Sequence, residues 1–406
     1  MNANFFKLLV ARININFADS LFYVICMWSI YQISGNELLT GLAGALFSIP
    51  EIISIFWGPI VDKYDKKKLL LICCLLEIIF MFIMTLVMAK FNNVYILLFS
   101  IPFISCVSNL TYPIENSFLL EIVSKDKMIK ANSVMEAAYT GMDLILNGLS
   151  GFLLSIFSIS VIMGQSTVFY IFALLLVLFI VNYKSNTLLD HKDYNQSTKY
   201  IDDFKIGMEY IFKNKILILL CPLVLVNLFN AILTVGLPIF VSESGITSFG
   251  YGGILTLRGI GYLVGTIFSE RIANKYKIGK LLVMAYIIIG GIWIVIASFG
   301  SQFLILEIIL FIFSNFFNGV INVIYGTYFQ IVPPENMVAR VYTINMTLVT
   351  LAMPAGSILG GILAKMFGGT FTLLIYGVMI FVLAVVMFFL KPIRNLGYLE
   401  NLNNGK

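Results

Sequence analysis

The sequence predicts an all-α integral membrane protein: twelve transmembrane helices in two pseudo-symmetric six-helix bundles. Three observations carry that expectation. Hydrophobic residues make up 60% of the 406, charged residues only 12%, and mean hydropathy is +0.96, whereas soluble domains carry about twice that charge. The apolar stretches are about 20 residues long, the length that crosses a bilayer core, and they fall into twelve. Finally, the two halves of the chain repeat one another.

In order, breaks at Gly, Pro or charge place spans near 12–33, 39–61, 69–90, 94–120, 132–157 and 164–182. A polar stretch follows, with Lys184, Asp190, His191, Lys192, Asp193, Asp202, Asp203 and Lys205. The second set lies near 216–241, 250–272, 279–299, 302–328, 338–365 and 370–390. The predicted domains are therefore 1–182, a linker over 183–215, and 216–406. Within the linker, Ile201 to Lys213 alternates apolar and charged residues at roughly helical spacing, which predicts a short amphipathic helix lying on the membrane face. The apolar start runs into a full span without an A-x-A site, so no cleavable signal peptide is expected.

Between the second and third spans lies Gly58-Pro-Ile-Val-Asp62-Lys63-Tyr-Asp65-Lys66-Lys67-Lys68, too charged for lipid and too short for anything but a tight loop. It aligns with Asn274-Lys-Tyr-Lys-Ile-Gly-Lys280 at an offset of 274 − 62 = 212, and Gly151 aligns with Gly360 at 360 − 151 = 209. Independent matches at nearly one offset indicate duplicated halves, which place a ligand site between them near the midplane. Lysine and arginine then set orientation. With both termini cytoplasmic, the inner side carries Lys7, Arg12, the Lys63–Lys68 cluster, the linker lysines, Arg271, Lys275, Arg340 and Lys391, and the outer side keeps Lys90 and Lys365.

Several functions are disfavoured. The net charge of +5 is spread over short loops, so no nucleic-acid partner is expected. The five cysteines lie in apolar segments without metal-ligand partners, and His191 is the one histidine, so neither a metal nor a cofactor is expected. No nucleophile elbow or nucleotide loop supports an enzyme, and without an ATP-binding loop ion gradients are left as the energy source.

Ionisable residues inside spans cost a few kcal/mol each and need partners or a wet cavity. Asp19, placed about 7 residues or ~10 Å into the first span, is the leading proton-coupling candidate, followed by Glu51, Glu115 and Asp143. Glu77, Glu136 and Glu307 lie nearer span ends, or on helices that the family resemblance given below places peripherally or at the gate, and a structural role is expected of them. Arg258 is the one basic residue well inside a span. Asn109, the pair Asn227 and Asn230, and the set Asn315, Asn318 and Asn322 recur at helical spacing and are candidate cavity linings. Trp28 and Tyr31 read as interfacial anchors. Gly261-x-x-x-Gly265 and Gly356-x-x-x-Gly360 allow close helix approach.

The Gly58–Lys68 loop resembles the G-x-x-x-D-R-x-x-R-R loop of the major facilitator superfamily, with Lys in place of Arg. Ile15-Asn-Phe-Ala-Asp19, Pro113 with Lys130-Ala-Asn-Ser133, and Pro354-Ala-Gly356 with Gly360-Gly361 resemble that superfamily's macrolide-efflux-like exporters. Gly148-Leu-Ser-Gly151-Phe departs from the Gly-Pro pattern that drug antiporters carry in the fifth helix. The resemblance implies a major facilitator fold with helices one, four, seven and ten around the pathway. It also implies a cytoplasmic gate at Gly58, Asp62, Lys63, Lys66, Lys67 and Lys68, with Asp62 meeting the start of helix eleven. The expected function is proton-driven export of a small amphipathic compound by alternating access, in the plasma membrane of a bacterium, as a monomer. The alternatives are transport of an anionic metabolite, siderophore or lipid with Arg258 as contact, and a membrane sensor that does not transport.

Overall fold

Apolar side chains placed all round a segment leave the backbone one way to satisfy its polar groups in lipid, by hydrogen bonding within its own helix. The computed structural model describes residues 2–54, 61, 64–91, 93–123, 131, 134–135, 138, 146, 149–181, 205–206, 208–213, 216–299, 304–334 and 337–398. Its helices in chain order are α1 (Ala3–Ser34), α2 (Glu37–Ser54), α3 (Lys66–Phe91), α4 (Val94–Ile122), α5 (Ile159–Leu178), α6 (Leu217–Glu243), α7 (Ser248–Lys275), α8 (Ile278–Phe299), α9 (Leu304–Ile331), α10 (Val338–Phe389) and α11 (Lys391–Arg394).

Among the described residues, nine helices are long and apolar enough to cross a membrane. The ninth stretch, Ile344–Phe389, is 46 residues long, about 69 Å at ~1.5 Å per residue and twice the hydrocarbon thickness. It therefore holds two crossings. The break falls at Gly368, whose φ of 83° and ψ of 170° are non-helical and lie in a region that glycine alone adopts freely. The expected span near 39–61 is described to Ser54 and at Val61, and half of the one near 132–157 lies outside the described residues. The helices are thus consistent with twelve crossings in an all-α membrane fold.

The first helix begins at Ala3 rather than near residue 12. Hydropathy ends a span at a charge, but Arg12 is 3% exposed and inside the fold because Glu115 neutralises it. Asn2 caps the new start by accepting from the Phe5 N–H, and Gly35 ends the helix in the left-handed conformation with its N–H on the Tyr31 carbonyl. Asp65 caps α3 in the same way, accepting from the Lys68 N–H at 2.8 Å.

The chain divides into two compact units, Met1–His191 with Ile246–Thr256, and Lys192–Gly245 with Leu257–Lys406. In the first, the Lys7 and Lys67 ammoniums donate to the carbonyls of Phe179 and of Leu178 and Ile180, just past the end of α5. Asn2 donates to the Ile122 carbonyl that ends α4. The starts of α1 and α3 and the ends of α4 and α5 therefore share one face, as single crossings in alternate directions require. Cations on orphan carbonyls at a helix C-terminus are favourable through both hydrogen bonding and the helix dipole.

The second unit repeats the device with different atoms. The Ile278 N–H donates to the Gly397 carbonyl at 2.9 Å, and a Cβ on Gly279 would fall 1.9 Å from the Ile393 carbonyl oxygen. Lys67 with Ile180 in one half corresponds to Gly279 with Ile393 in the other, at 279 − 67 = 212 and 393 − 180 = 213. The paired glycines do bring helices close. Cβ atoms on Gly261 and Gly265 would sit 2.1 and 1.9 Å from backbone oxygens of α9, and one on Gly356 2.2 Å from the Leu228 oxygen of α6. Within the linker, residues 205–206 and 208–213 are helical, with Ile211 buried and Ile206 and Phe212 exposed.

Candidate functional site

In the first unit, α1, α3, α4 and α5 each bring a polar side chain to one place. Asp19 sits 16 residues beyond the start of α1, about 24 Å along it. That places it at mid-helix, deeper than the ~10 Å expected from a start near residue 12. Its carboxylate accepts from the Tyr170 hydroxyl of α5 at 2.5 Å, and Ser108 of α4 is a second hydrogen-bond partner. Two turns earlier on α1, the Arg12 guanidinium donates to Glu115 of α4 at 2.7 Å, with the two side chains 3% and 1% exposed. Arg12 also lies 5.0 Å from the centre of the Tyr112 ring. A buried ion pair of this kind holds together only because each charge satisfies the other.

Beside the cluster is a pocket of about 300 Å³ lined by Asp19, Tyr23, Phe47, Ser105, Ser108 and Asn109. Phe22 and Tyr23 meet Phe47 edge to face, at 5.8 and 4.9 Å between ring centres. The lining is thus part aromatic and part polar, the polar part being an acid, three serine hydroxyls with that of Ser20, and an amide. This combination suits a molecule with an apolar body and a polar or cationic head.

Glu77 belongs to this cluster, although its sequence position suggested a peripheral structural acid. It is at the middle of α3, 0% exposed, and within electrostatic reach of Asp19, Glu115 and Arg12. Its neighbours come from other helices, so no local pattern marked it. Trp28 is likewise not an anchor at the lipid interface. It is 8% exposed and stacks on Tyr251 at 5.2 Å within the same unit.

The second unit holds a different arrangement. The Arg258 guanidinium lies 5.7 Å over the Trp293 ring. Trp293 donates its Nε1–H to Ser314 Oγ at 2.9 Å and packs edge to face with Tyr376 at 5.4 Å. The Tyr376 hydroxyl in turn donates to Asn230 Oδ1 at 3.0 Å. Arg258 of α7 and Asn230 of α6 are thereby linked through two aromatic residues. A cation on an indole face that is shielded from water gains about 2 kcal/mol.

The other candidates are less concentrated. Asn109, Asn227 and Asn315 each donate to the carbonyl four residues earlier on their own helix. Asn322 donates to the Tyr262 hydroxyl at 2.5 Å, and Asn318 is partly exposed on α9. Glu51 is exposed on α2, one residue after Pro50. Lys66 donates to the Tyr64 carbonyl at 3.0 Å, Lys67 caps the end of α5, and Lys68 is exposed. Asp143, Gly58, Asp62 and Lys63 lie outside the described residues.

With this geometry in view, the likeness to known proteins is informative. The sequence profile of the Major Facilitator Superfamily matches residues 8–357. An uncharacterized MFS-type transporter of Bacillus subtilis, YfiS, is 24% identical over 385 residues, covering 89% of this chain and 87% of that one. Macrolide efflux protein A of Streptococcus pyogenes is 21% identical over 387 residues, covering 89% and 90%. Among solved structures, the nucleoside transporter NupG superposes with a TM-score of 0.75 at 15% identity, covering 96% of this chain and all of that one. A D-xylose-proton symporter gives 0.72 at 14% identity, covering 97% and 99%. At such identities the structural likeness speaks to the fold alone.

Proposed function

Since the chain belongs to the Major Facilitator Superfamily and is thus a multi-pass membrane transporter, we propose that it exports a small amphipathic compound in exchange for protons. The observation that carries this reading is Asp19: a carboxylate at the middle of α1, held by Tyr170 and Ser108, in the wall of a half-aromatic pocket. Such an acid has two calls on it. A proton neutralises it, and so does the cationic or hydrogen-bonding head of a ligand in the pocket. Where one site serves both, binding of one expels the other, which is the essence of antiport. Arg12 is paired with Glu115 and bears on Asp19 through space. The 21% identity to macrolide efflux protein A is in keeping with outward transport.

In this reading the protein works as a monomer in the plasma membrane of a bacterium, with both termini cytoplasmic. The domains are 1–182 and 216–406, joined by the 183–215 linker. The loop from Gly58 to Lys68 gates the cytoplasmic side, and Glu51, Asp143 and the asparagines of α6 and α9 line the route. A second reading rests on a separate observation. Arg258 stacked on Trp293, with Tyr376 and Asn230 beyond it, is suited to the anionic group of a metabolite, siderophore or lipid.

Inverted vesicles distinguish these. With a proton gradient imposed, a panel of amphipathic cations should collapse the gradient in vesicles carrying the wild-type chain and leave it intact with Asp19→Asn at equal expression. A gradient collapsed by anions and lost with Arg258→Gln favours the second reading. Unchanged active efflux in Asp19→Asn removes Asp19 from the coupling role.

A further inference from the structure

Glu77 has no part in the antiport scheme above, yet it is the most completely enclosed acid of the cluster. It lies at the middle of α3 with 0% exposure, and neither carboxyl oxygen has a hydrogen-bond partner among the described residues. Its neighbours are better provided. Glu115 has Arg12 at 2.7 Å, and Asp19 has Tyr170 and Ser108. The groups within electrostatic reach of Glu77 are Asp19 and Arg12 from α1, Glu115 from α4, Tyr170 from α5, and Cys73 and Cys74 one turn back on its own helix.

The charge count decides what form Glu77 takes. Arg12 is the one cation of this group and is already matched by Glu115. Ionised Glu77 would add an unpaired carboxylate beside Asp19 in a site closed to water, an arrangement that strongly opposes ionisation of one of the two. Asp19 can hold a charge because it has hydrogen-bond donors and borders the pocket. Glu77 has neither advantage.

We infer that Glu77 is a second proton-binding site, a carboxyl held in its neutral acid form and coupled by charge to the pocket acid Asp19. The two titrate as a unit rather than as independent groups. When Asp19 is neutralised, by a proton or by the cationic head of a ligand, the charge opposing ionisation of Glu77 falls by one, so the pH range over which Glu77 ionises depends on the state of the pocket acid. The proposal deepens the antiport reading and rests on it for its physiological sense. Its test, however, requires neither a substrate nor a transport assay, so the two can fail separately.

The measurement is infrared spectroscopy of the purified full-length chain in lipid nanodiscs, titrated in pH, following the C=O stretch of neutral carboxylic acids. Wild-type protein at neutral pH should show such a band. Labelling glutamate with ¹³C at the side-chain carboxyl should shift it, and labelling aspartate should not. Glu77→Gln should remove that component, and Glu77→Asp should restore a neutral-acid band that now follows the aspartate label. Asp19→Asn should displace the pH range over which the Glu77 component is lost, by about one pH unit or more. A wild-type chain with no neutral glutamate band at neutral pH overturns the proposal, whether or not the variants fold. A band that persists in Glu77→Gln overturns the assignment to Glu77. One that titrates identically in wild type and Asp19→Asn overturns the coupling and leaves an inert structural acid.

Discussion

Replacing Glu115 by Leu should cost far more than replacing Glu115 and Arg12 together. In the native fold the two side chains meet at 2.7 Å, 3% and 1% exposed, in the closed middle of the first unit. Removing the carboxylate deprives Arg12 of its ion-pair partner. Two estimates bracket the loss. Breaking a buried ion pair from one side typically costs about 3–5 kcal/mol, and an arginine placed at the centre of a membrane helix costs about 2.5–3.5 kcal/mol on insertion scales. The lower range is the better guide here, because an unfolded state that stays in the membrane also has to accommodate Arg12. The Tyr112 ring, 5.0 Å from the guanidinium, survives the change and recovers about 0.5–1 kcal/mol. The expected loss for Glu115→Leu is therefore about 2–3 kcal/mol. Arg12→Leu should lose a similar amount by stranding Glu115.

The double variant Arg12→Leu with Glu115→Leu removes both charges and should lie within about 1 kcal/mol of wild type, since an apolar pair often replaces a buried ion pair at little cost. Reversible unfolding by SDS in mixed micelles, followed by tryptophan fluorescence, gives all four corners of the cycle. A coupling energy of about 4–5 kcal/mol is expected. Losses that simply add would show that the two groups do not sense each other.

Further outcomes follow from local geometry. Adjacent glycines in α8 should behave oppositely. A Cβ on Gly290 would lie 2.7 Å from the Phe381 backbone nitrogen and 2.8 Å from the Gly377 oxygen, so Gly290→Ala should destabilise by about 1–3 kcal/mol. Gly291 has nothing within 4 Å, so Gly291→Ala should be neutral or gain up to about 1 kcal/mol, read in the same unfolding assay. Gly368→Ala should cost about 1–3 kcal/mol, because alanine resists φ of 83° with ψ of 170°. Glu243→Ala should cost about 1 kcal/mol, because the Glu243 carboxylate accepts from the Gly369 N–H at 2.8 Å where the second crossing of α10 begins. If Glu243→Ala leaves the melting midpoint of the detergent-solubilised chain unchanged, that cap is ornamental.

Membrane character, the duplicated halves and nearly all span positions were legible from the chain alone. Each depends on local composition: about 20 apolar residues in a row, a glycine or charge at the break, and the same residues recurring some 210 positions later. Asp19, Glu115 and Arg258 were also legible as exceptional, since a charge inside an apolar run stands out without reference to any partner. Which charge meets which was not. Arg12 and Glu115 are 103 residues apart, and their pairing depends on the rotation of α1 and α4 about their own axes. The same non-local packing drew Arg12 into the first helix instead of its flank, brought Glu77 into the acid cluster, and put Trp28 against Tyr251 rather than lipid. The end of one crossing and the start of the next were hidden in α10 for a related reason: a single residue, Gly368, turns the chain without any break in hydrophobicity. Hydropathy reports how each segment meets lipid, whereas the candidate site is made of side chains that avoid lipid by finding one another.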